Sequence, residues 1–173
     1  IYCGSRSKCY GFTHDFEDGE VKINAPELLE KALHSKRKRC MIGTGSMCDP
    51  YMPCENSLKL TRQCLEIIEK YGFGLAVQTK SDRILHDLDL LKSINAKSKC
   101  VVQLTLTTFD DDLCKIIEPN VCVTSRRVEV LKIMQQNNIP TVVWLSPFLP
   151  YINDSMQNFK GLMDYCLETG VHG

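Results

Sequence analysis

Cys40-Met41-Ile42-Gly43-Thr44-Gly45-Ser46-Met47-Cys48-Asp49-Pro50-Tyr51 is the stretch around which the chain is organised. Its apolar start, Cys40 to Ile42, reads as a short buried strand. The run ends in Gly43-Thr44-Gly45-Ser46 and breaks at Asp49-Pro50. Two glycines separated by one residue let a backbone approach a ligand that any Cβ would block. In parallel α/β folds, ligands sit at the carboxyl ends of strands, so this turn is where chemistry is sought first. An ordinary strand-to-loop turn reads the same way locally, because Gly-x-Gly is a common pattern.

Working outward, the same grammar repeats. Upstream, Asn24-x-x-Glu27 reads as a capping box with Pro26 in the first turn. It opens a helix through Leu28, Leu29, Ala32 and Leu33 that ends in the basic run Lys36 to Arg39, where the helix dipole favours cations. Downstream, a helix is predicted from Ser57 to Tyr71, with Leu58, Thr61, Leu65 and Ile68 on one face and Gly72 as its stop. Leu75-Ala76-Val77 is the next strand and runs into Gln78-Thr79-Lys80-Ser81. Ser81 caps a third helix with Ile84, Leu88, Leu91 and Ile94 aligned. Strand Cys100 to Leu106, a short helix over 111–117, a helix capped by Ser125, strand Thr141 to Leu145 and a final helix capped by Asp154 complete the series. Short apolar strands with crossovers of about 20–30 residues predict an α/β fold of parallel β/α repeats, helices covering both sheet faces and right-handed connections.

Composition sets the outer limits. A chain of 173 residues suits one domain with a real core. Lys plus Arg equals Asp plus Glu at 21 each, so a strongly basic nucleic-acid module is not indicated. No apolar run approaches the roughly 20 residues that span a membrane, and no secretory leader is recognisable, so the expected location is cytoplasmic. The ten cysteines raise a disulfide scaffold as an alternative, but Cys40, Cys64, Cys100 and Cys166 fall at apolar strand or helix positions, where thiols pack as small hydrophobes. Reduced thiols are expected. The start at Ile1-Tyr2-Cys3 and the end at a helix stop are what a piece of a longer protein would show.

The carboxyl ends of the predicted strands say more together than any one motif. They offer Gly43 to Ser46, Gln78 to Ser81, then Gln103, Thr105 and Thr107, then Ser146-Pro147. Gln103, Thr105 and Thr107 share one face of their strand by period 2, and polar side chains there need partners. A polar ligand would supply them; so would one another. Lys80 at a strand end is a candidate for a ligand carboxylate or phosphate, or else a solvated charge. Arg126 and Arg127 begin a helix, where cations oppose the dipole, so one of them is expected to have an anionic partner, Glu118 or a ligand.

At this point the residues resemble a known family. Ile1-Tyr2-Cys3, Gly43-Thr44-Gly45-Ser46-x-x-Asp49-Pro50-Tyr51-x-Pro53-x-Glu55, Thr61-Arg62, Thr79-Lys80-Ser81, Arg83-x-x-x-Asp87-Leu88-Asp89-x-Leu91, Glu118-Pro119, Arg127 and Pro147-x-x-Pro150-x-x-Asn153-Asp154 occur in the order and spacing of the spore photoproduct lyase-like branch of the radical S-adenosylmethionine enzymes. The likeness is to bacterial members of the type found in mobile gene pairs. It implies a six-stranded partial TIM-like barrel, of which about four strands are present, with residues 1–173 forming one radical S-adenosylmethionine core domain lacking its first and last strands. It also implies a 4Fe–4S cluster held by Cys-x-x-x-Cys-x-x-Cys, with Cys3 as the third cysteine and the first two before Ile1. Electron transfer from that cluster to S-adenosylmethionine would give a 5′-deoxyadenosyl radical that abstracts hydrogen from a substrate. By the same resemblance, Gly43, Thr44, Gly45 and Ser46 lie near the methionyl amino group, Lys80 and Arg127 meet its carboxylate, and Pro147 lies near the adenine. Gln103 and Thr105 complete the expected cofactor-binding set.

The implied partners are an electron donor such as a flavodoxin or ferredoxin, and a nucleic-acid substrate as in spore photoproduct lyase. With Cys3 alone, no cluster and no activity are expected of the chain by itself, and open sheet edges are expected to let it self-associate. Two other readings stay open: a zinc-binding module drawing on Cys3, Cys9, His14, Cys48 and Cys54, and a non-catalytic α/β interaction domain.

Overall fold

The computed structural model describes residues 18–173. Cys3, Cys9 and His14 lie outside that range. The elements run α1 (Ala25–Ser35), β1 (Met41–Thr44), α2 (Glu55–Leu58), α3 (Leu60–Tyr71), β2 (Gly74–Thr79), a 3-10 turn (Asp82–Asp87), α4 (Leu88–Ser98), β3 (Cys100–Leu106), α5 (Asp111–Ile117), α6 (Thr124–Gln136), β4 (Thr141–Leu145) and α7 (Met156–Thr169). The strands form one four-stranded sheet in the order β1-β2-β3-β4, and every pairing is parallel. This is the expected α/β architecture of parallel β/α repeats, consistent with part of a TIM-like barrel.

The sequential strand order corrects one expectation. Right-handed crossovers that always step in the same direction place every helix on the same face of the sheet. A sheet covered on both faces needs a reversal of that direction, and none occurs here. The covered face carries Leu75 and Val77 of β2 and Val102, Leu104 and Leu106 of β3, all at 0% exposure. They pack under Leu65 and Ile68 of α3, Leu91 and Ile94 of α4, and Leu131 and Met134 of α6. The opposite face is set by the same period of two and the parallel register: Gly43 beside Ala76, Gln78 beside Gln103, Thr105 beside Trp144. Trp144 is 49% exposed on that face.

Strands β3 and β4 and helix α5 match the sequence reading residue for residue. Other details differ. Asn24 makes no side-chain cap, and Glu27 instead takes an ion pair from Lys31 at 2.6 Å. The helix expected from Ser57 is split into α2 and α3 because Lys59 turns left-handed, at φ 51°. Ser81 does cap, accepting from the Arg83 N–H, but the segment it opens is first a 3-10 turn and only then α4. Ser125 and Asp154 lose their expected cap roles. Ser125 is the second residue of α6 and donates its hydroxyl to Asp111, and Ser155 caps α7. Cys40 is exposed rather than packed, whereas Cys100 is buried, and burial pushes its thiol up to about 12. Cys40, Cys54, Cys64, Cys100, Cys114, Cys122 and Cys166 are all free thiols.

Candidate functional site

A cleft of about 350 Å³ opens at the carboxyl ends of the strands, on the uncovered side of the sheet. Gly45 and Ser46 enter it from the loop after β1, Gln78 and Lys80 from the end of β2, Thr105 from β3, and Trp144 and Pro147 from β4 and its exit. Of the candidates named from sequence, Gly45, Ser46, Lys80, Thr105 and Pro147 therefore come together around one space. Gly43 and Thr44 lie in β1 just beneath it, Gly43 on the open face, where a Cβ would meet nothing within 4 Å. Gln103 also lies on the open face and accepts from Trp144 Nε1 at 2.7 Å.

The loop after β1 is held against β2 by one side chain. Asp49 accepts from Thr79 Oγ1 at 2.7 Å, from the Lys80 N–H at 2.8 Å and from the Tyr51 N–H at 2.9 Å. The last of these is an Asx turn, which is what Asp-Pro after a glycine-rich stretch favours. Gly45 makes the close approach possible. Its φ is +97°, and a Cβ there would fall 1.9 Å from the Gln78 carbonyl oxygen. Further along, Thr61 donates its hydroxyl to the Pro50 carbonyl at 2.5 Å and its N–H to Glu55 at 2.8 Å. Arg62 reaches Asp87 at 2.9 Å and Asp89 at 2.8 Å. The Asp-Pro-Tyr, Thr-Arg and Asp-Leu-Asp motifs of the sequence thus form one continuous clasp between the β1 loop, α3 and the start of α4.

The polar residues on the open face bond to their sheet neighbours. Gln78 Nε2 donates to Thr105 Oγ1 at 3.4 Å, and Thr107 Oγ1 donates to the Ser146 carbonyl at 3.2 Å. The loop after β4 is fixed by Asn153, whose amide donates to the carbonyls of Thr107 at 2.7 Å and Pro147 at 2.9 Å. Asn158 of α7 supports it in turn by donating to the Asn153 carbonyl at 2.8 Å.

Arg127 is placed elsewhere. It is fully buried between α6, α5 and β3, with Nη1 donating to Glu118 Oε2 and to the Thr105 carbonyl, and Nε to the Cys122 carbonyl. Glu118 is the anionic partner expected of it. Arg126 pairs with Asp82 at 2.9 Å. Burial is the largest influence on Arg127 and opposes its charge, but Glu118 together with Cys114 and Cys122 outweighs it, so the guanidinium stays above its ordinary value. Glu118 also takes the Lys80 ammonium through its other oxygen. The result is a buried Arg127–Glu118–Lys80 chain whose far end stands at the cleft. Lys80 and Arg127 both belong to it, but only Lys80 lines the cleft.

Gln78 belongs to the strand-end set named from sequence, whereas Asp49, Asn158 and Trp144 join the site from outside the candidates named there. Asp49 had a signal in its turn chemistry. Trp144, the single tryptophan, had none beyond its strand position. Among the described residues, no three His, Cys, Asp or Glu side chains group so as to hold a metal ion, and no helix is long and apolar enough to cross a membrane.

No family model matches the chain. It is 36% identical over 155 residues to the uncharacterized protein MJ0683 of Methanocaldococcus jannaschii, covering 88% of this chain and 57% of that protein. It is 28% identical over 151 residues to the uncharacterized protein ORF301 of Acidianus two-tailed virus, covering 86% and 49%. The chain therefore spans about half the length of the curated relatives it matches. Among solved structures it resembles Streptococcus suis SuiB bound to S-adenosylmethionine, with a TM-score of 0.57, 17% identity, and coverage of 84% of this chain and 31% of that one. SuiB bound to its precursor peptide SuiA aligns with the same TM-score of 0.57 over 89% of this chain and 31% of that one. The likeness is one of fold: at 17% identity, the chain shares the β/α fold of SuiB.

Proposed function

We propose that this chain is the core domain, over residues 1–173, of a radical S-adenosylmethionine enzyme of the spore photoproduct lyase-like type, and that the cleft at the strand ends binds S-adenosylmethionine. One observation carries the reading. A sheet covered on one face only leaves a cleft where strand ends from β1 to β4 converge, in a fold shared with a protein that binds this molecule. The order and spacing of the sequence motifs support the finer family assignment.

The residues present fit the ligand in their chemistry. Lys80 offers a cation to a carboxylate, while Ser46, Gln78 and Thr105 offer neutral polar groups. Met47, Trp144 and Pro147 offer apolar surface to a purine or a thioether-like chain. Gly43 leaves open the space that a side chain would occupy. Arg127 acts through Glu118, which holds the Lys80 ammonium at the rim, and Asp49 holds the loop carrying Gly45 and Ser46. Such preorganisation is the protein's share of the work; the bound cofactor, with a reduced iron–sulfur cluster, supplies hydrogen abstraction from a substrate. The described residues provide no site for that cluster, and Cys3 is the residue of this chain proposed to contribute to one. An electron donor of the flavodoxin or ferredoxin kind and a nucleic-acid substrate complete the proposal.

The test is calorimetric titration of the protein with S-adenosylmethionine. Saturable binding is expected, with Lys80→Met weakening it by about tenfold, the worth of one charge-assisted hydrogen bond. Gly43→Val should weaken it by obstruction. Absence of binding, or affinity unchanged from the parent in both variants, would overturn the reading.

A further inference from the structure

A second cavity, of about 390 Å³, lies on the flank of the molecule between the first turn of α3 and the 3-10 turn after β2. It shares none of the candidate cofactor residues. Tyr51 lines it, is 4% exposed, and buries a hydroxyl with no partner at hydrogen-bond distance, although the Asp87 carboxylate lies close enough to bear on it. Burial, and after it the negative charge of Asp87, hold this phenol well above its ordinary acidity range, so it stays a donor. Buried hydroxyl groups are almost always satisfied, so an orphan at a cavity wall points to something that fills the cavity.

The charges around it have a definite sense. Lys59, Arg62 and Arg83 line the space, together with the carboxylates of Glu55 and Asp87. Both carboxylates are already engaged. Asp87 takes Arg62 at 2.9 Å, and Glu55 takes the Thr61 N–H at 2.8 Å. Lys59 and Arg83, by contrast, have no carboxylate partner among the described residues; Arg83 reaches only the Ser81 hydroxyl, at 3.4 Å. Lys59 stands at the N-cap of α3, a twelve-residue helix whose first turn already gives the Thr61 N–H to Glu55. His86 adds a third donor at the rim.

We propose that this cavity binds a phosphate group. A guanidinium with a free face, an ammonium and a buried phenol donor together match the oxygens of a phosphate. The remaining volume accommodates the organic part that carries it. The phosphate could come from a free nucleotide-like molecule or from a polynucleotide backbone, and the two are separable by experiment. The inference does not depend on the cofactor reading of the cleft.

The experiment titrates the protein separately with inorganic phosphate, a nucleoside monophosphate and a single-stranded oligonucleotide. At least one probe is expected to bind, and Arg83→Gln and Tyr51→Phe should each weaken it about tenfold. Binding of the small probes, with phosphate competing, identifies a site for a free phosphate compound. Binding of the oligonucleotide alone, with steep salt dependence, identifies a backbone site. Tyr51→Phe removes an unsatisfied buried hydroxyl, so its melting temperature should equal or exceed that of the parent. Lys80→Met should bind the same probe unchanged, which separates this site from the cleft. No binding by any probe at millimolar concentration would overturn the proposal. So would unchanged affinity in both variants, or a Tyr51→Phe variant that loses stability while binding normally.

Discussion

Arg127 shows how far a residue's neighbours alter its meaning. At the start of a helix it reads as a cation in search of an anion, and the nearest candidates by sequence are Glu118 and a ligand. In the folded chain it is wholly enclosed, and one carboxylate joins it to Lys80. Removing one partner of a buried pair leaves the other charge without compensation, which typically costs about 3–5 kcal/mol. Arg127→Met is therefore expected to lower the unfolding free energy by about that amount in urea titrations. Lys80→Met should cost far less, because Arg127 still neutralises Glu118. The double variant Arg127→Met/Glu118→Met should recover much of the loss. A loss for Arg127→Met no larger than that for Lys80→Met would show that the buried pair is not what holds α5, α6 and β3 together.

Among the elements, the loop from Gly45 to Pro53 depends most on its exact backbone. Gly45 and Gly43 look equivalent as a Gly-x-Gly pair, yet their surroundings differ. A Cβ on Gly45 would collide with the Gln78 carbonyl and would sit at φ +97°, whereas a Cβ on Gly43 would meet nothing within 4 Å. Gly45→Ala should destabilise the protein by more than the roughly 1–3 kcal/mol of a residue forced into such backbone geometry, because the collision with the Gln78 carbonyl adds to it. Gly43→Ala should leave stability unchanged or slightly raised, since glycine in a strand costs chain entropy. Thermal melting of the two single variants measures the contrast, and equal shifts would refute it. A similar close approach recurs at Gly161 of α7, where a Cβ would fall 2.6 Å from the Phe109 ring.

At the scale of the whole molecule, the one-sided sheet is the dominant fact. Strands β1 and β4 lie at its two edges, and β4 already pairs with residues 172–173: the His172 N–H donates to the Thr141 carbonyl and the Val143 N–H donates to the Gly173 carbonyl. Trp144, Phe148, Ile152 and Met156 are all exposed around the open face and the rim after β4. Exposed apolar surface, together with a β1 edge that pairs no further strand among the described residues, favours association between copies. The chain by itself is expected to form dimers or larger species in light scattering, and Trp144→Arg should shift them toward monomer. A parent chain that is monomeric at the concentrations used for binding would count against this.

Local pattern was enough to place β3, β4 and α5 to the residue, because strand alternation, helix period and the Asp110 cap act within a few neighbours. It was also enough to gather Gly45, Ser46, Lys80, Thr105 and Pro147 at one rim, because parallel strands carry their carboxyl ends to the same side. The capping of α1, α6 and α7 was not legible, since several nearby Ser, Asn and Asp side chains could serve and tertiary partners such as Asp111 claimed some of them. What the amino-acid order determined was the repeating β/α unit and the polar strand ends, both consequences of short-range periodicity. What only the tertiary structure decided was the side of the sheet left open, the burial of Arg127 against Glu118, and the unpartnered hydroxyl of Tyr51. Each of these depends on which residues distant in sequence meet in space, and crossover direction and packing settle that.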